Sequence, residues 1–183
     1  MSAELGPEWR SRFDSFSAVP IASASIGQVH SGSVTLPSGS SLPVAVKIQF
    51  PGVSTSISSD ISNLSLLLRS AFLLPKGLYL ENTLKVMRGE LEQECDYIRE
   101  AECARKFGRL LGVGEPGEEG NLGGAFRVPR IVDELSTEKV LTMEMMEGKP
   151  LSRVTGLNQT LRNEVGRSWP SPYPVSLREL TRF

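Results

Sequence analysis

A lysine inside a run of β-branched residues is the first pattern that could do chemistry. Lys47 lies in the segment Val44-Ala45-Val46-Lys47-Ile48, on the strand face opposite Val44, Val46 and Ile48. A charged side chain at such a position needs an oppositely charged partner or a path to solvent. Two interpretations follow: an exposed lysine on an edge strand, or a lysine whose ammonium offsets the charge of bound phosphates.

A segment of small residues lies upstream of this lysine. It spans residues 20–30, includes Ala22-Ser23-Ala24-Ser25, and lies about twenty residues upstream of Lys47, across the hairpin turn. Small residues let a backbone approach a ligand closely, as glycines do in phosphate-binding loops. The segment therefore predicts either a plain tight turn or a loop that covers phosphates.

An acidic segment, residues 90–101, supplies carboxylates that could partner Lys47. On a helix, at about 100° per residue, Asp96 and Glu100 share a face, whereas Glu94 lies about 120° away from Glu100. One straight helix cannot aim Glu94 and Glu100 at the same point. One of them could pair with Lys47 while the other makes a second contact, and an ordinary solvated helix face is the alternative.

The elements that must position these residues follow from hydrophobic periodicity and from Gly and Pro. Alternation of apolar and polar residues predicts one hairpin early in the chain and a second one later. An apolar period of 3.6 residues predicts two helices between the hairpins and one after them. The predicted strands span residues 25–34, 42–49, 128–135 and 140–146, and the predicted helices span residues 56–74, 80–111 and 157–165. Residues 112–124, rich in Gly and Glu, are predicted to form a loop. This order predicts an α+β fold with a mostly antiparallel sheet.

Composition excludes several classes of protein. The 183 residues carry 20 Lys and Arg against 21 Asp and Glu, so a formal charge of −1 gives no general attraction to nucleic acid. No run of about 18 apolar residues predicts a membrane span. One histidine, His30, excludes a multi-histidine metal site, and two cysteines are too few for a disulfide scaffold.

Together these segments resemble the UbiB family of atypical protein kinase-like proteins, whose mitochondrial members support ubiquinone (coenzyme Q) biosynthesis. The small-residue loop, the strand lysine and the acidic helix occur in the order of a kinase N-lobe. The resemblance runs from about Trp9 to Leu151, and its matching segments are residues 22–30, 44–53, 74–78, 90–101, 128–135 and 140–144.

The resemblance implies a role for each matching residue. The alanine-rich loop, with Ser23 where the family usually has alanine, would cover a nucleotide, and Lys47 would contact its phosphates with Glu100 as the first choice of helix partner. Glu94 and Asp96 match a Glu-x-Asp signature that in the family faces an inhibitory N-terminal extension. The implied nucleotide site comprises Ala22, Ser23, Ala24, Ser25, Val29, Ala45, Lys47, Glu100 and the hinge residues Glu144, Met145 and Met146.

The resemblance also implies an organisation and a function. Residues 1–19 would be a lead-in, 20–151 a kinase-like N-lobe with a long αC-like helix, and 152–183 a truncated, divergent start of a C-lobe. Full-length relatives would bind ATP or ADP with Mg²⁺, in mitochondria, alongside coenzyme Q biosynthesis proteins and lipid precursors. No catalytic-loop Asp, metal-binding motif or targeting segment is visible, so the chain alone is expected to be inactive. The alternative is a non-catalytic interaction module, or a truncated product that binds no nucleotide.

Overall fold

The computed structural model describes residues 1–70, 80–111 and 127–148, together with residues 159, 160 and 163. Residues 1–146 form one compact unit and residues 147–183 form a second. In the second unit residues 159, 160 and 163 are helical, and Gln159 Nε2 donates to Asn163 Oδ1 at 3.0 Å. The remainder of the helix predicted over residues 157–165, and the loop predicted over residues 112–124, lie outside the described residues.

A five-stranded antiparallel sheet forms the centre of the first unit. Its long hairpin pairs Gly27 with Gln49 at one end and Thr35 with Ser41 at the other, and Gly39 turns the chain at a φ of 83°. The strands are β1 Ser15–Phe16, β2 Ala22–Ser23, β3 Gly27–Thr35, β4 Ser41–Gln49 and β5 Val140–Glu144. The order along the sheet is β1-β3-β4-β5, and β2 also pairs with β3. The predicted small antiparallel sheet and α+β class are confirmed.

Helices flank this sheet, and one prediction about them was wrong. They are α1 Ser2–Leu5, α2 Val53–Ser70, α3 Leu80–Glu94 and α4 Tyr97–Leu110. The helix predicted as continuous over residues 80–111 breaks at Cys95 and Asp96, so the αC-like helix is the 14-residue α4. Asp96 leaves helical geometry and accepts a hydrogen bond at 2.9 Å from the backbone N–H of Arg99, as an N-cap does.

The prediction of a strand over residues 128–135 was also wrong. Only Ile131 forms an isolated bridge, to Met143 of β5, and Asp133–Leu135 forms a 3₁₀ turn. The Ser136 hydroxyl explains the turn, because it accepts from the Thr142 N–H at 3.1 Å and donates to the Val132 carbonyl at 2.8 Å. A side chain thus takes a position in the ladder that a backbone group would otherwise fill.

The two faces of the sheet bury different residues. One face packs Val44, Val46 and Val140 against Trp9 and Phe13, so residues from the predicted lead-in belong to the core of this unit. The other face packs against α4 through a cluster of Ile26, Tyr97, Ala101 and Leu141. A third cluster, of Ile57, Ile61 and Leu84, joins α2 to α3. Within the described ranges, no helix is long and apolar enough to cross a membrane.

Candidate functional site

Three of the predicted site residues share one face of the sheet. Val29 lies directly opposite Lys47 in the β3–β4 pairing, and Ala45 lies two residues before Lys47 on β4. Directly opposed residues of antiparallel strands project to the same side, as do residues two apart. Val29, Ala45 and Lys47 therefore line the face that α4 covers, and the fully buried Val44 and Val46 occupy the other.

Lys47 is held by a carboxylate from the first turn of α4. Its Nζ lies 2.7 Å from Oε2 of Glu100, and each side chain is 23% exposed. A charge-assisted hydrogen bond of this length is stronger than one between neutral groups. Among the described residues, Glu100 is the carboxylate that contacts Lys47, while Glu94 is exposed at the end of α3. The structure thus brings together the pair that the resemblance placed first.

Tyr97, which sequence reasoning did not select, lies beneath this ion pair. The Lys47 Nζ sits 4.6 Å from the centroid of its ring, and the residue is 0% exposed. Burial raises the pKa of Tyr97 well above its usual range, and the charges of Glu100 and Glu94 and the nearby Cys95 add to the rise. The side chain therefore presents a neutral phenol below the lysine.

A hydrogen bond connects β4, the strand that carries Lys47, to the break between α3 and α4. Gln49, two residues after Lys47 on the same face and 7% exposed, donates from Nε2 to the Cys95 carbonyl at 3.1 Å. Burial raises the pKa of the Cys95 thiol, the charge of Glu94 adds to the rise and that of Lys47 opposes it. Gln49 was also missed by sequence reasoning, because its burial, which requires a hydrogen-bond partner for the amide, is visible only in the structure.

Replacing Asp96 with alanine should lower the free energy of unfolding by about 0.5–2 kcal/mol, because the first turn of α4 loses its side-chain cap. Urea denaturation followed by circular dichroism measures the change. The matched control is Asp96→Asn, which keeps an oxygen that can accept from the Arg99 N–H and should stay close to wild type. Equal losses in the two variants would show that the cap is not what stabilises α4.

The predicted covering loop lies at the edge of the same face. Ala22 and Ser23 pair with Val29 and Gln28, and residues 22–25 are all exposed. The turn is closed by the Ala24 N–H, which donates to the Gly27 carbonyl at 2.8 Å. The preceding residue, Ile21, belongs to the predicted segment but was given no role; its large apolar side chain is 54% exposed although its backbone N–H is bonded to β3. Its position immediately before the small-residue loop was the available signal.

The three predicted hinge residues lie at the end of β5: Glu144 is its last residue, and Met145 and Met146 follow it. The side chain of Glu144 turns to the face away from Lys47, where Oε1 lies 2.9 Å from Nη2 of Arg127. The N–H of Glu144 donates to the Arg130 carbonyl at 2.7 Å, and the N–H of Met145 donates to the Pro43 carbonyl at 2.9 Å. Pro43 has no N–H to return to the Met145 carbonyl, so regular pairing ends here. Met146 follows and is 37% exposed.

This fold and this site define a class of protein. A small antiparallel sheet whose strand lysine is ion-paired to a glutamate of the flanking helix is the N-lobe of a protein kinase-like fold. Residues 1–170 match the ABC1 atypical kinase-like domain, and the chain belongs to that family. The resemblance to atypical kinases of the UbiB type is confirmed.

Curated relatives share this sequence over most of its length. The chain is 46% identical over 165 residues to atypical kinase COQ8B, mitochondrial, of Danio rerio, covering 90% of this chain and 24% of the relative. It is 42% identical over 168 residues to atypical kinase COQ8, mitochondrial, of Saccharomyces cerevisiae, covering 92% of this chain and 31% of the relative. The chain thus spans less than a third of these relatives. Their names confirm, for close homologues, the mitochondrial localisation expected from the resemblance.

A solved structure shares the fold. The chain is similar to Rv3197 of Mycobacterium tuberculosis, whose structure was determined with erythromycin, at a TM-score of 0.59 and 32% identity. The match covers 82% of this chain and 35% of that one. Both the identity and the coverage support the kinase-like N-lobe assigned from the sheet and from α4.

Proposed function

We propose that this chain provides the N-lobe half of an ATP- or ADP-binding site, in an atypical kinase or ATPase that supports coenzyme Q biosynthesis in mitochondria. The observation that carries the proposal is the ion pair between Lys47 and Glu100, which fixes one ammonium on an otherwise largely apolar sheet face. The names of the relatives, which call them atypical kinases, support the wider assignment. The chain covers less than a third of the length of these relatives, so the kinase or ATPase activity of the whole protein is proposed and not shown.

The arrangement can bind and orient a nucleotide. A bound nucleotide would supply the phosphoryl group, while Lys47 would act as a point cation toward its phosphates. Glu100 holds the ammonium in place. Residues 22–25 are exposed and have small side chains, so their backbone can approach the phosphates closely. Val29, Ala45 and Ile21 offer apolar contact to a base, and the segment of Met145 and Met146 offers backbone groups at its edge.

A metal ion is assigned to no residue of the described chain. The family suggests Mg²⁺ as the companion of the nucleotide, but the described residues contain no cluster of three or more His, Cys, Asp or Glu side chains that could hold a metal. Phosphoryl transfer also needs a residue that orients the acceptor, and no catalytic-loop Asp is visible in the sequence. For this chain by itself we therefore propose nucleotide binding without turnover.

Thermal unfolding in the presence of increasing ADP tests the proposal, with Lys47→Met as the critical variant. Wild type should be stabilised by about 2.7 kcal/mol when ADP reaches a hundred times its Kd. Lys47→Met should lose most of this increment, because the phosphates lose their cation. The matched control is Lys139→Met, which removes the same charge from an exposed turn before β5 and should respond to ADP like wild type.

The outcomes separate the two functions that the sequence left open. A wild-type chain whose melting temperature is insensitive to ADP and ATP would overturn the nucleotide proposal and favour the interaction module. A shift that Lys47→Met retains in full would show that nucleotide binds elsewhere than on the sheet face that carries Lys47.

A further inference from the structure

The buried hydroxyl of Tyr97 lies near the small-residue loop of residues 22–25 and is not part of the Lys47–Glu100 ion pair. Tyr97 is 0% exposed, and its Oη has no hydrogen-bond partner among the described residues. Buried polar atoms without a partner are rare in folded proteins, and each calls for a physical reason. A tyrosine hydroxyl is protonated at neutral pH, so Oη has a proton that it can donate.

One turn of α4 presents two groups to the same ammonium. Tyr97 begins the helix, and Glu100 follows three residues later, so both side chains lie on one face. The Lys47 Nζ is 2.7 Å from the Glu100 carboxylate and 4.6 Å from the centre of the Tyr97 ring. The carboxylate fixes the ammonium from one side, and the ring face attracts it from below.

The far end of the same ring reaches the base of the small-residue loop. A Cβ placed on Gly27 would lie 3.2 Å from the Tyr97 Oη, so the hydroxyl sits against the Gly27 backbone. Gly27 closes the loop, because its carbonyl accepts from the Ala24 N–H. Tyr97 therefore contacts both the phosphate-facing lysine and the base of the loop.

We propose that Tyr97 is a positioning residue of the nucleotide site, whose ring sets the position of the Lys47 ammonium and whose hydroxyl supports the Gly27 end of the loop. The role rests on the proposed function, since it concerns where phosphates bind. It predicts that Tyr97 matters for ligands that carry phosphates and not for the base and ribose alone.

The test compares ADP with adenosine, by calorimetric titration of wild type, Tyr97→Phe and Tyr97→Leu. Tyr97→Leu loses the ring and should bind ADP about tenfold more weakly, the size of a part-buried cation–π contact, with adenosine affinity unchanged. Tyr97→Phe keeps the ring and loses only the packing of the hydroxyl against Gly27, so its ADP affinity should lie between those of wild type and Tyr97→Leu, with adenosine affinity unchanged. A matched control, Phe13→Leu, disturbs a buried aromatic on the opposite face and should leave the ratio of the two affinities as in wild type.

A second measurement needs no nucleotide and remains useful where Tyr97→Leu binds nothing. In a carbon–proton correlation spectrum, the ε-methylene signal of Lys47, assigned by its loss in Lys47→Arg, should be displaced upfield by the ring in wild type and in Tyr97→Phe. It should rejoin the other lysine signals in Tyr97→Leu. An undisplaced wild-type signal, or an ADP-to-adenosine ratio unchanged in Tyr97→Leu, would overturn the role of Tyr97. Absence of ADP binding by wild type would instead overturn the proposed function.

Discussion

Replacing Trp9 with alanine should lower the free energy of unfolding of the 1–146 unit by about 3–5 kcal/mol. Trp9 is 9% exposed and packs in the core with Val44, Val46 and Val140, although it comes from the segment before the sheet. Its ring also meets Phe16 edge-on, with centroids 4.9 Å apart. Truncation would remove the transfer free energy of the indole and leave a cavity under the two central strands.

Chemical denaturation monitored by far-ultraviolet circular dichroism measures this loss, since the variant lacks the fluorophore that lies in this core. Val19→Ala is the control: Val19 belongs to the same N-terminal segment but is 73% exposed, so its truncation should change stability by less than about 0.5 kcal/mol. If Trp9→Ala matched the control, the N-terminal segment would be an appendage and not part of the core.

Replacing Gly27 with alanine should destabilise the unit by about 1–3 kcal/mol or more. An added Cβ would lie 2.4 Å from the carbonyl oxygen of Ile48, a backbone atom of the neighbouring strand that cannot swing away as a flexible side chain can. The same Cβ would approach the Tyr97 hydroxyl at 3.2 Å. The substitution must therefore push β3 away from β4 at the point where the loop begins.

The control for this variant is Gly89→Ala, within α3, where nothing described lies within 4 Å of the added Cβ. A glycine inside a helix costs about 1 kcal/mol relative to alanine, so this variant should be more stable than wild type by up to that amount. Urea midpoints of the two variants should thus move in opposite directions. A Gly27→Ala midpoint equal to that of wild type would show that β3 and β4 have room to separate.

The elements that alternate strictly in sequence were predictable. Val44, Val46 and Ile48 are β-branched and alternate with Ala45 and Lys47, and a period of two assigns faces without any knowledge of the partner strands. The break within the helix predicted over residues 80–111 could not be predicted from periodicity, because the apolar stripe continues past Cys95. The Asp96 cap interrupts the helical backbone without interrupting that stripe. The prediction of a strand over residues 128–135 failed because the Ser136 hydroxyl takes the place of a direct bond from the Thr142 N–H to the Val132 carbonyl.

The candidate site was predictable only in part, for a related reason. Sequence order placed Lys47 and the acidic helix in one site, but the angular argument on Glu94 and Glu100 assumed one straight helix. With α4 starting anew at Asp96, the turn that carries Glu100 is oriented independently of the turn that ends at Glu94. The contacts of Tyr97 and Gln49 join residues about fifty positions apart, and no local pattern reports such contacts.

The hydrogen bond from Gln49 to the Cys95 carbonyl constrains which substitutions positions 49 and 95 tolerate. The amide recognises the main-chain carbonyl of Cys95, which every amino acid possesses, and makes no demand on the thiol. Position 95 is therefore free to change among small, half-buried apolar residues while the joint between α3 and α4 stays in place. Position 49 has no such freedom, since only a side chain with a donor of that reach can keep the connection. We therefore expect related sequences to vary at position 95 and to keep glutamine at position 49.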